Sequence, residues 1–103
     1  MLRRGRFHDL VDRQLDLFES ETDLLAEAAR ADAAWTTAEA DETEELYGDY
    51  HLVVDAIGER LYEIRETYAS SLEGQTADEY RSAFDRAAHK RFGRLATFLR
   101  GEG

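Results

Sequence analysis

The chain has 103 residues, no cysteine and no proline, and 23 acidic against 13 basic residues for a formal charge of −10. That length is one domain's worth of chain. The missing cysteines exclude a disulfide framework, a thiolate zinc site and a cysteine nucleophile, and the acidity argues against binding nucleic acid or an anionic membrane, both of which need positive charge.

No apolar run reaches the length of a membrane span, and the basic start Arg3-Arg4-Gly5-Arg6 is not followed by a signal core. The expectation is a cytoplasmic protein that is not attached to a membrane. Residues 1–103 read as a single helical domain with a basic N-terminal tail, 1–6, and a C-terminal tail, 100–103.

Without proline and with only 7 glycines, long uninterrupted helices are permitted. The first spans about 7–34. The pairs Leu10/Val11, Leu17/Phe18 and Leu24/Leu25 stand two helical turns apart. Ser20 with Asp23 offers an alternative helix start, which would split this segment in two and make a four-helix fold.

The second helix spans about 42–72. Asp41 and Glu44 have the spacing of a capping box. Leu46, Tyr50, Val53, Ile57, Leu61, Ile64, Tyr68 and Leu72 then repeat at intervals of three and four, with Val53, Ile57, Leu61 and Ile64 at the centre of the core. Gly74 reads as the stop.

The third helix spans about 77–99, with a second capping box at Thr76 and Glu79. Its apolar face is Tyr80, Phe84, Ala87, Ala88, Phe92, Leu95, Phe98 and Leu99, and Gly101 closes it. No segment alternates with the period of a strand. Three amphipathic helices joined by short connections imply an all-α, antiparallel up-down-up three-helix bundle with long helices.

Charge is uneven along the chain: residues 1–6 sum to +3, 7–80 to −17 and 81–103 to +4. In an up-down-up bundle the basic C-terminal third lies beside the first connection, with Glu39, Asp41, Glu42, Glu44 and Glu45. The basic N-terminus lies beside the second, with Glu73, Asp78 and Glu79. Opposite charges then favour this topology over its alternatives, although each exposed pair is worth only about 0–1 kcal/mol.

Catalytic and metal constellations are weak. A di-iron bundle needs Glu-x-x-His pairs on two helices, and the sequence has none. His8, His51 and His89 fall at different levels of the bundle. Asp85 and His89 stand four apart, half of an acid–base pair, but no matching nucleophile accompanies them. Asp41, Glu42, Glu44 and Glu45 lack the ordered loop spacing of a calcium site. No cofactor, metal site or catalytic residue is expected.

A second stripe on the middle helix stands apart from its main face: Tyr47, His51, Val54, Gly58 and Tyr62. Two aromatic rings around a small residue suit a close helix crossing. The stripe is either the second side of an intramolecular core or a contact with another chain.

The stretches Arg6-Phe7-His8-Asp9-Leu10-Val11-Asp12-Arg13-Gln14-Leu15 and Arg65-Glu66-Thr67-Tyr68-Ala69, with 12 of the 13 basic residues being Arg, resemble a small family of uncharacterised, all-helical actinobacterial proteins of mycobacterial type. The resemblance implies an all-helical fold and no particular activity. The leading functional expectation is a non-enzymatic interaction or assembly protein, with a homodimer as its simplest form. The alternatives are a small-molecule or metal-binding module within the bundle, and an acidic decoy for a basic partner.

Overall fold

The computed structural model describes residues 5–100, and side chains for 5–96. Its elements are α1 (His8–Glu21), α2 (Leu24–Thr36), α3 (Thr43–Ala69), α4 (Gly74–Phe92) and a 3-10 segment (Gly93–Arg100). No strand occurs among the described residues, and none of the helices is long and apolar enough to cross a membrane.

The expected first helix is two. Thr22 is extended, with φ −129° and ψ 149°, and its Oγ1 accepts the Leu24 N–H at 3.1 Å. Thr22 therefore starts the new helix, in place of the Ser20–Asp23 pairing. Ser20 Oγ instead donates to the Leu17 carbonyl at 3.1 Å. The apolar heptad continues across the break, so periodicity alone does not reveal it.

The capping boxes do not form either. α3 starts after Glu42 and α4 after Glu73, neither start closed by a side-chain hydrogen bond. Thr43 Oγ1 turns back to the Glu39 carbonyl at 3.0 Å, and Glu79 pairs with Arg6 Nη1 at 3.3 Å. α3 ends at Ala69, where Ser70 and Ser71 hydroxyls donate to the carbonyls of Thr67 and Tyr68. Gly74, with φ +48°, opens α4 where it was expected to stop α3. Gly93, with φ +59°, ends α4 seven residues before the expected limit at residue 99. Left-handed backbone of this kind favours glycine and terminates a helix. Gly101 and the side chains of Phe98 and Leu99 lie outside the described residues, as do Arg3, Arg4 and the end of the C-terminal tail.

α2 packs on α3, α3 on α4 and α1 on α4. Phe7 meets Tyr80 and Phe18 meets Phe92, at ring-centroid distances of 5.5 and 5.6 Å, so α1 runs parallel to α4. Arg65 meets Asp85 and Tyr68 meets Tyr80, so α3 runs antiparallel to α4. The end of α2 meets the start of α3 through Trp35 and Tyr47. The 3-10 segment packs back on α3 and α4. The result measures 51 × 29 × 24 Å, a rod with much surface for its volume.

Leu15, Ile57, Leu61, Tyr80 and Phe84 are fully buried. Burial along α3 follows Tyr50, Val54, Ile57, Gly58, Leu61, Arg65 and Ala69. Val53 and Ile64, expected at the core's centre, are only half-buried against it. The buried line is rotated from the expected face because α3 is the middle helix, covered on one side by α2 and on the other by α4 and the 3-10 segment.

Charges meet across the fold at both ends of α4. Arg6 meets Glu79 as expected. Among the described residues, Arg91 and Arg94 of the basic C-terminal third land on α1 and α2. Arg91 is within 3.3 Å of Asp12, 2.7 Å of Asp16 and 2.9 Å of Glu19, and Arg94 is 3.0 Å from Asp32. Because α4 stops at Phe92, its cationic last turn lies beside α1 and short of the loop.

Candidate functional site

The five-residue stripe on α3 divides in the structure. Val54 and Gly58 are buried within the chain, so they are the second side of the core. Tyr47 sits at the start of α3 with its ring T-shaped to Trp35 at 4.9 Å. Its hydroxyl lies 2.9 Å from His51 Nε2, and the two rings are 4.7 Å apart. Tyr62 lies one turn beyond Gly58, under the Arg65 guanidinium at 5.1 Å. The structure thus joins Tyr47 to His51 and sets Tyr62 apart.

Trp35 and Tyr47 belong to an aromatic cluster at the α2–α3 end. Trp35 Nε1 donates to Asp32 Oδ1 at 3.1 Å. Asp32 also accepts from Arg94, whose guanidinium lies 5.7 Å above the ring of Tyr50. One carboxylate therefore fixes both a tryptophan and the cation that caps the neighbouring ring.

The second polar cluster was not read as a site from the sequence. Arg65 is 4% exposed. Its Nε donates to Glu66 Oε2 and its Nη1 to Asp85 Oδ1, both at 2.8 Å. Arg81 grips the same Glu66 carboxylate with two nitrogens, at 3.0 Å each at closest, and reaches Asp78 at 3.1 Å. Hydrogen bonding from Arg81, opposed by burial and aided by Arg65, holds the Glu66 carboxyl below its ordinary range. Burial works against the Arg65 charge, but Asp85 and Glu66 outweigh it and the guanidinium is held more firmly protonated. The sequence carried one signal of this cluster: Arg65 stands four residues from both Leu61 and Ala69, inside the buried stripe.

Asp85 and His89 do not form the acid–base pair their spacing suggests. His89 Nδ1 is 2.7 Å from the Asp85 backbone carbonyl, so Nδ1 carries the proton, while the Asp85 carboxylate serves Arg65. His89 Nε2 is buried with no hydrogen-bond partner among the described residues. His8 pairs with Asp12 on α1, at 3.5 Å. No three metal-ligating side chains converge among the described residues.

The outer surface carries several depressions, two of them broad. One, of about 570 Å³, lies on α3 and is lined by Asp55, Gly58, Glu59, Tyr62 and Glu63. The other, of about 730 Å³, runs between α1 and α4 over Val11, Ala83 and Ala87, with His8, Arg86 and Lys90 at its edge. Both open on solvent, whereas the core side chains between the helices are buried.

Four large apolar side chains among the described residues are markedly exposed: Leu17 at 51%, Tyr47 at 42%, Leu52 at 68% and Tyr62 at 48%. Three of them stand on α3. Leu52 and Tyr62 share its solvent side with Asp55, Glu59 and Glu63, which are all exposed.

Comparison with known proteins gives no relative: no family model matches the chain, and no curated protein or solved structure does.

Proposed function

We propose that this protein acts by association, with α3 presenting a mixed apolar and acidic face to another protein chain, and that the partner in the simplest case is a further copy of itself. The observation that carries this reading is that Leu52 and Tyr62 stand exposed on the same side of α3. Scattered apolar residues on a surface need no explanation, but several on one outward helix face suit a contact. The elongated shape supports it, since a rod gains more from pairing than a sphere does.

The expected two-fold dimer through Tyr47, His51, Val54, Gly58 and Tyr62 loses its middle, because Val54 and Gly58 are already used within the chain. The face left outward is acidic, and two such faces set against each other bring like charges together. The reading therefore favours an α3 face that meets a different, cationic surface.

Light scattering coupled to size exclusion tests it. The parent is expected to run above monomer mass and Leu52→Glu at or near it, with unchanged helicity by circular dichroism. Equal mass for the two proteins would remove α3 from the interface.

A further inference from the structure

The cationic surface that α3 calls for exists on the same chain. The groove between α1 and α4 has small residues, Ala83 and Ala87, over buried Val11. Its outer edge carries Arg86 and Lys90, one helical turn apart and both exposed. Most arginines near α4 are engaged: Arg81 with Glu66 and Asp78, Arg91 with three acids of α1, Arg94 with Asp32. Arg86 and Lys90 make no hydrogen bond or ion pair with any of the described residues. The groove's one lining carboxylate, Asp12, is already held by Arg91 and His8.

The α3 face matches this edge in spacing as well as in sign. Glu59 and Glu63 are four residues apart, as are Arg86 and Lys90, so each pair spans about 6 Å along its helix. With the two helices antiparallel, Glu63 falls opposite Arg86 and Glu59 opposite Lys90. Tyr62 then falls level with Ala87, where the floor is made of small side chains and leaves room for a ring. The bond from Arg60 to Glu63, 3.2 Å long, is an exposed pair within α3 and yields readily to a better partner.

We infer that the α1–α4 groove receives α3 of a second copy, so that copies join head to tail. Glu63 and Glu59 of one copy meet Arg86 and Lys90 of the next, and Tyr62 rests on Ala83 and Ala87. The inference rests on the α3 reading above and names the counter-surface. Joined head to tail the contact is heterologous: a pair of copies keeps one free groove and one free α3, so association continues into a ring or an open chain. This separates it from a two-fold dimer, which stops at two.

Sedimentation equilibrium with charge swaps tests the pairing. Arg86→Glu with Lys90→Glu should weaken self-association on the order of a hundredfold, because two attractive pairs become repulsive. Glu59→Lys with Glu63→Lys should do the same from the other side. Arg13→Glu with Arg30→Glu changes the net charge as much as the groove swap but lies outside the contact, and should associate as the parent does. An equimolar mixture of the groove variant and the α3 variant should regain association, since the swapped faces are again complementary. That recovery also shows that both variants are folded; Lys90→Glu alone repeats the test if the double variant loses helix. Three results overturn the inference while leaving the α3 reading in place: association unaffected by the groove swap, equal weakening by the Arg13 and Arg30 swap, or a mixture that stays apart. A parent that is monomeric throughout overturns both.

Discussion

Arg65 Nη1 donates to Asp85 Oδ1 at 2.8 Å, tying the C-terminal part of α3 to α4 from inside the core. The guanidinium is almost wholly buried, whereas the carboxylates that hold it reach the surface. Removing a partner from a buried charge is more damaging than removing the charge itself. Asp85→Ala should therefore lower stability by about 1.5–3 kcal/mol, with Glu66 still holding one side of Arg65. Arg65→Met keeps the volume and removes the charge, and should lie closer to the parent. Urea denaturation of the two variants checks the order.

Acid should weaken the same cluster. The Glu66 carboxyl is depressed by Arg81 first, and by Arg65, against the opposing effect of burial. A depressed carboxyl contributes stability above its unfolded pKa of about 4.5 and loses it as pH falls through the lower folded value. The urea midpoint should fall as pH drops below about 4.5, and Glu66→Gln should flatten that part of the fall.

Tyr80 gives the opposite sign at the alkaline end. Burial pushes its phenol up to about 12 from an ordinary 10. Its hydroxyl donates to Gln14 Oε1 at 2.7 Å, which only the neutral phenol can do. The stabilisation is intact below pH 10 and is lost as pH rises toward 12. Ultraviolet titration should show one late tyrosine, absent in Tyr80→Phe.

Gly58 and Ile57 separate core from contact. Ile57 is fully buried, and Ile57→Ala should cost about 2–5 kcal/mol. Gly58 lines the depression beside Glu59, Tyr62 and Glu63 on the docking face, and Gly58→Leu should weaken association. Thermal melts beside sedimentation measure the two effects separately.

These residues show what a sequence makes legible. The three apolar segments, the burial of Ile57 and Leu61 and the meeting of Arg6 with Glu79 follow from periodicity and charge. The break at Thr22 does not, because the heptad phase runs through it. Gly93 gives no stop in the sequence, since a single glycine within a helical pattern is tolerated; its positive φ ends α4. The stripe from Tyr47 to Tyr62 was separated from the core because a middle helix buries a wider arc than one apolar face suggests. Arg65 was hidden by its type: a charged residue reads as solvated until partners on another helix are known.

The most direct measurement is sedimentation equilibrium of the unmodified chain, from micromolar to hundreds of micromolar. Association through α3 and the α1–α4 groove predicts a mass that climbs with concentration past that of a dimer, or settles at a ring of more than two copies. A constant mass of 11.8 kDa across the range would contradict it.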